Sequence, residues 1–328
     1  MTDFTRTSSR RRTLLGLAIG TAAAYAGGVR AQSDRVVRII LPVATASGVD
    51  TITRAAQAAL SKALGHPVVV ENQPGAGGIL GTSALVKSAP DGFTLGFVSN
   101  NHVIYPSVYK SLPFDPINDI TPIAIVGTTP IVVVVNPKLP ANNAMELVAL
   151  LKSKPGTLNY GSSGNGTILH LAAEMFVDEA GAQAKHIPYK GVGPMLTDLI
   201  GGQVEFATAA LPSVQQHLKS GALRAIGVGA AQRVAAAPDI PTMAEQGMPG
   251  YLVEGWFAFI GPKSLAAAEV KRLHEAVSAA FAAPEVREAM ARQGNAINIS
   301  STETAGQFFR SEMAKYAKLV KKAGIELQ

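Results

Sequence analysis

The chain has 328 residues, 47% hydrophobic and 16% charged, with no cysteine and a formal net charge of +6. That balance is globular rather than disordered and long enough for two domains, and it excludes a disulfide framework, a thiolate metal site and a lipidated cysteine. Residues 1–31 hold five arginines and one aspartate, +4 of the total, which leaves +2 for the remainder and no long Lys/Arg run to suggest nucleic acid.

The N-terminal stretch "SSRRRTLLGLAIG" sets Arg11 and Arg12 one residue ahead of Leu14 and Leu15, and "VRA" follows at 29–31. This is the pattern of a twin-arginine export signal over residues 1–31, cleaved after Ala31. An ordinary Sec signal with extra arginines is the alternative, and either one sends a soluble chain to the periplasm. The apolar part is too diluted by Gly, Ala and Thr to be a membrane span.

Beyond the signal, "RVVRIILPV" (35–43) is a β-branched run long enough for one buried strand. The helical spacing of Ile52, Ala55, Ala56, Ala59, Leu60, Ala63 and Leu64 predicts a helix that stops at Gly65, with Asp50 as its N-cap. Strand "PVVVEN", helix "GILGTSALVKSA" and strand "TLGFVS" complete a β-α-β-α-β unit, for which a parallel sheet is the default. The pattern restarts with strand "PIVVVVNP" and helix "AMELVALLKS". "TLNYGSS" then leads into a helix over 167–180, and "AKHIPYK", "QVEFATAA" and "LRAIGVG" are further strands. Helices are predicted over 264–282, 285–293 and 303–323. Two α/β units predict two lobes, with the segments near 122–135 and 251–261 passing between them.

In open parallel sheets, ligands sit beyond the carboxyl ends of strands. The loops there are "ATASGVD" (44–50), "NQPGAGG" (72–78), "SNNHVIY" (99–105), "YGSSGNGT" (160–167), "YKGVGP" (189–194) and "TAALPS" (208–213). Their backbone amides and neutral hydroxyls suit a carboxylate better than a metal. Enzyme motifs are absent or broken. No lysine precedes Thr167 as a phosphate-binding loop needs, and Asn165 stands where a nucleophile elbow has its last glycine. His170 and Glu174 share a helix face without a third ligand, which reads as a solvated or capping pair.

Taken in order, "YGSSGNGTILHLAAEMF", "HIPYKGVGPMLTDLIGGQVEF", "LRAIGV", "PDIPTMAEQGMPGY", "EGWFAFIGP" and "PEVREAMARQG" closely resemble the tripartite tricarboxylate transporter substrate-binding proteins, the Bug family. The resemblance implies an α/β type II periplasmic binding-protein fold of two lobes that close on a small organic acid, joined by two crossing strands. Lobe 1 would comprise 32–128 and 256–328, and lobe 2 would comprise 129–255. It further implies a monomer that serves two integral membrane subunits, with no cofactor, no metal and no catalytic residue. An exported hydrolase using Ser163 is the alternative.

Carried over by position, the ligand-binding set is Val43, Ala46, Ser47 and Gly48 from the first-strand loop, Asn101 and His102 from the next turn, and Ser162, Ser163, Gly166 and Thr167 from the opposing loop, with Ala209 on the wall. Val43, Thr45, Ala46 and Ser47 depart from the family's Phe, Pro, Gly and Gly. Ala209 stands about where relatives often carry an acidic residue before the Leu-Pro-Ser turn. That loss removes a partner for a ligand ammonium and points to a longer or flatter diacid, terephthalate among them. Lys190 is open to two readings, a positive rim or a solvated side chain.

Overall fold

A strand covered on both faces can be apolar throughout, and β1 (Val37–Leu41) exposes only Arg38. The computed structural model describes residues 35–325 and 327, so the export-signal expectation falls outside the described residues. After β1 the chain enters α1 (Gly48–Leu64). Ser47, not Asp50, caps it: the Ser47 hydroxyl accepts the Asp50 N–H at 3.2 Å. The Asp50 carboxylate instead turns back to accept the Ala46 N–H at 3.1 Å. Gly65, at φ 71°, ends the helix in the left-handed conformation that glycine tolerates.

β2 (Val68–Asn72), α2 (Ile79–Val86), β3 (Thr94–Ser99) and α3 (Asn101–Val108) follow. β1 pairs in parallel with β2 on one side and β3 on the other. The segment read as a loop at 99–105 is therefore mostly helix.

β4 (Ile120–Val135) opens the second half, which continues through α4 (Ala144–Ser153), β5 (Asn159–Ser162), α5 (Ile168–Glu179), β6 (Lys185–Pro188), α6 (Val192–Gly201), β7 (Phe206–Ala210), α7 (Leu211–Lys219) and β8 (Arg224–Val228). The chain returns as β9 (Glu254–Pro262), α8 (Ala267–Ala282), α9 (Pro284–Arg292), β10 (Ala296–Ile297) and α10 (Thr302–Lys322).

The strand order is β2-β1-β3-β9-β4-β7-β5-β6, with β8 and β10 also paired to β4. β4 belongs to both halves. Its stretch Ile120–Pro130 pairs antiparallel with β9, and Ile131–Val135 pairs antiparallel with β7 and β8. The all-parallel expectation thus holds only for β1–β3 and β5–β7; the strands that leave and return between halves run the other way. Each half has its own aromatic packing. Phe97, Phe257, Phe259 and Phe281 cluster beside the first sheet, and Tyr160, Phe176 and Phe206 beside the second. Behind the crossing strands, Asn100 ties β9 to α10. Its Nδ2 donates to the Tyr316 hydroxyl at 2.6 Å, and its Oδ1 accepts the Trp256 N–H at 2.9 Å.

Candidate functional site

A cavity of about 520 Å³ lies where the carboxyl ends of the strands from both halves face each other. The loops after β1, β2, β3, β5, β6 and β7 line it, and Thr129, Ile131, Gly255 and Trp256 of β4 and β9 close its back. The strand contributions carry no loop-like composition, and no sequence signal marked them.

Six helices begin at this wall: α1, α2, α3, α5, α6 and α7. Each helix start presents amides without intrahelical partners and a partial positive charge. The Gly48 and Val49 amides of α1 and the Leu169 amide of α5 have no partner among the described residues. Lys190, exposed at the rim, is the single charged residue among the described residues that line the cavity. The remaining polar lining is neutral, and Ile131, Ile168, Leu169, Val192 and Trp256 make much of the rest apolar. Such a chamber suits a small anion with a hydrocarbon body. No group of three or more His, Cys, Asp or Glu side chains able to hold a metal occurs among the described residues.

Of the residues carried over from the sequence, Val43, Ser47, Gly48, Asn101, Ser163 and Thr167 line the cavity together. The Thr167 hydroxyl is already committed: it donates to Gly164 O at 2.8 Å and accepts the His170 N–H at 3.3 Å as the cap of α5. Ser163 Oγ sits 3.1 Å from it and faces the open space.

Five others are corrected. Ala46, at φ 63°, is exposed and turned from the cavity, its N–H held by Asp50. His102 is buried at 1% exposure with Nε2 donating to Pro116 O at 2.7 Å, and burial pushes its pKa down to about 4. Ser162 is fully buried, 2.6 Å from His186 Nε2. The Gly166 N–H donates to His170 Nδ1 at 3.1 Å. Ala209 is fully buried against the strand side, because side chains alternate along β7 and it is Ala210 that reaches the cavity.

Of the solvated or capping reading of His170 and Glu174, the solvated half is corrected and the capping half holds, since His170 Nδ1 accepts the Gly166 N–H ahead of α5. His170 is 6% exposed, and its ring stacks on His186 with centroids 3.8 Å apart, beneath the 162–167 loop. Burial, with the neighbouring His170, lowers His186 to about 4. Burial disfavours the Glu174 carboxylate, but bonds with His170 and the Tyr160 hydroxyl hold its pKa below the ordinary range. These side chains brace the loop from below. Ser163, the candidate nucleophile, has Thr167 rather than a histidine as its side-chain partner.

Residues 52–325 match the sequence profile of the tripartite tricarboxylate transporter family receptor. The chain belongs to this receptor family. The receptor is 34% identical to protein BugT of Bordetella pertussis over 324 residues, 98% of this chain and 99% of that one. Its fold superposes on the structure of the periplasmic binding protein BugD with a TM-score of 0.86 at 31% identity, covering 90% of the receptor and 99% of BugD. It superposes likewise on R. palustris Rpa4515 with adipate, with a TM-score of 0.87, 28% identity and coverage of 90% and 99%. The receptor thus has the two-lobed type II periplasmic binding-protein fold with two crossing strands. The family consists of solute receptors rather than enzymes, which removes the hydrolase alternative.

Proposed function

We propose that this receptor is exported to the periplasm, closes two lobes around a small dicarboxylate and hands it, as a monomer, to the two membrane subunits of a tripartite tricarboxylate transporter. Lobe 1 is 32–128 with 256–328, lobe 2 is 129–255, and residues 1–31 are a twin-arginine signal. The observation that carries the reading is the convergence of six helix N-termini on a cavity whose described lining holds no arginine and no carboxylate. Uncharged donors can hold a carboxylate at each end of a ligand without a salt bridge, each charge-assisted bond contributing about 1.5–3 kcal/mol.

In this reading Ser47, Gly48 and Val49 grip one carboxylate from lobe 1, and Ser163 with the Leu169 amide grips the other from lobe 2. The apolar span of Ile131, Ile168 and Trp256 between them favours a long or flat diacid, terephthalate or an adipate-like chain, over a short amino acid. Calorimetry of the purified protein with terephthalate, adipate, citrate and aspartate tests this. Tight one-to-one binding of the first two is the expected result. Preference for aspartate would overturn the ligand class.

A further inference from the structure

Asn101 opens α3 on the first sheet's side of the cleft, and its Oδ1 accepts the Ile168 N–H at 2.8 Å. Ile168 is the first residue of α5, on the second sheet's side, so this bond spans the cleft. Asn101 is 8% exposed and lines the cavity. A backbone N–H can only donate, so the carboxamide oxygen is the end held on Ile168 and the NH2 group must face the other way. That NH2 has no partner among the described residues, yet it is not one of the sealed polar atoms left without one. Space remains in front of it.

The two sides approach closely around this bond. A Cβ on Gly166 would lie 2.5 Å from Val108 Cγ2, near the other end of α3. The Asn101 bond also takes one of the orphan amides of α5, so that amide is not available to a ligand while the cleft is shut.

We propose that Asn101 is a two-ended latch that also sets specificity. Its oxygen fastens the closed cleft through the first amide of α5, and its NH2 donates to an oxygen of the ligand. One side chain thereby couples occupancy to closure. Because the cavity-facing end can only donate, it selects a carboxylate or hydroxyl oxygen and leaves a ligand ammonium at that place without an acceptor. This rests on the carboxylate-receptor reading above.

Asn101→Asp separates the two ends: one carboxylate oxygen still accepts from Ile168, while the other replaces the NH2 with a repelling acceptor. Ligand-free Asn101→Asp should match the parent in radius of gyration by small-angle scattering but bind adipate at least a hundredfold more weakly by calorimetry. Asn101→Ala loses both ends. It should bind adipate at least about tenfold more weakly and show a larger ligand-free radius than the parent. Adipate binding by Asn101→Asp within threefold of the parent overturns the donor role. Equal ligand-free radii for Asn101→Ala and the parent overturn the latch. If the parent itself binds neither adipate nor terephthalate, the carboxylate reading fails instead, and the scattering comparison still decides the latch. A merely structural asparagine would not split the two readouts in this way.

Discussion

Gly48→Ala should wedge the cleft and lower affinity. Gly48 is the first residue of α1, and a Cβ added there would lie 2.9 Å from the Ala210 Cβ across the cleft. Ordinary carbon contacts begin near 3.5–4.0 Å, so the halves must part by roughly 1 Å to accept the methyl. Resistance to such overpacking costs about 1–3 kcal/mol, a roughly five- to hundredfold loss of affinity if it falls on the closed, loaded state. Calorimetry with adipate should therefore show weaker binding, and scattering a slightly larger radius than the parent both with and without ligand. Adipate affinity within twofold of the parent would refute the claim that Gly48 and Ala210 meet on closure.

Ala210→Asp puts a carboxylate into the cavity and should weaken adipate binding more than a hundredfold by calorimetry with the fold intact, whereas Ala209→Asp buries an unpaired charge and should lower the melting temperature sharply or prevent folding. His102 has a pKa of about 4 in the fold against about 6.5 unfolded. The unfolded chain therefore takes up the proton first, and this site's stability is full above about pH 6.5 and falls toward pH 4 by up to about 1.4 kcal/mol per pH unit. Comparing the pH dependence of thermal unfolding between the parent and His102→Asn should isolate that slope, with adipate affinity at pH 7 nearly unchanged. Changing Arg11 and Arg12 to Lys should strand the precursor in the cytoplasm, read by fractionation; normal periplasmic accumulation would point to the Sec route.

Hydrophobic periodicity made the strands and most helices legible, because burial on one face or two leaves a pattern that chain order preserves. The β1 and β4 runs are apolar since both faces are covered, and the α1 spacing ends at Gly65 where a left-handed turn requires it. Which residues of a loop face the cavity was not legible. Ser162 and Ser163 are chemically identical neighbours, yet one is fully buried against His186 and the other lines the cavity. Ala209 and Ala210 differ only in the pleat of β7. Trp256 and Thr129 reach the cavity because two strands cross behind it, a tertiary fact with no local signature.

The placement of β9 has a consequence for how the molecule assembles. β9 is wedged between β3 and β4, so Gly96, already paired with Ile40 of β1, finds its second partner only at Ile260, and Pro130 finds its partner only at Glu254. The first half cannot complete its sheet until the whole second half has been synthesised. Pairings this distant in sequence carry a large loop-closure cost before they return any stability, which slows folding. A fragment ending before Glu254 would leave an open strand edge on each side of the gap. The second half can hold its own layers earlier, since β5, β6 and β7 pair among near neighbours. The inserted half can therefore complete its sheet before the first half does, and the ligand chamber, lined by both, needs β9 in place.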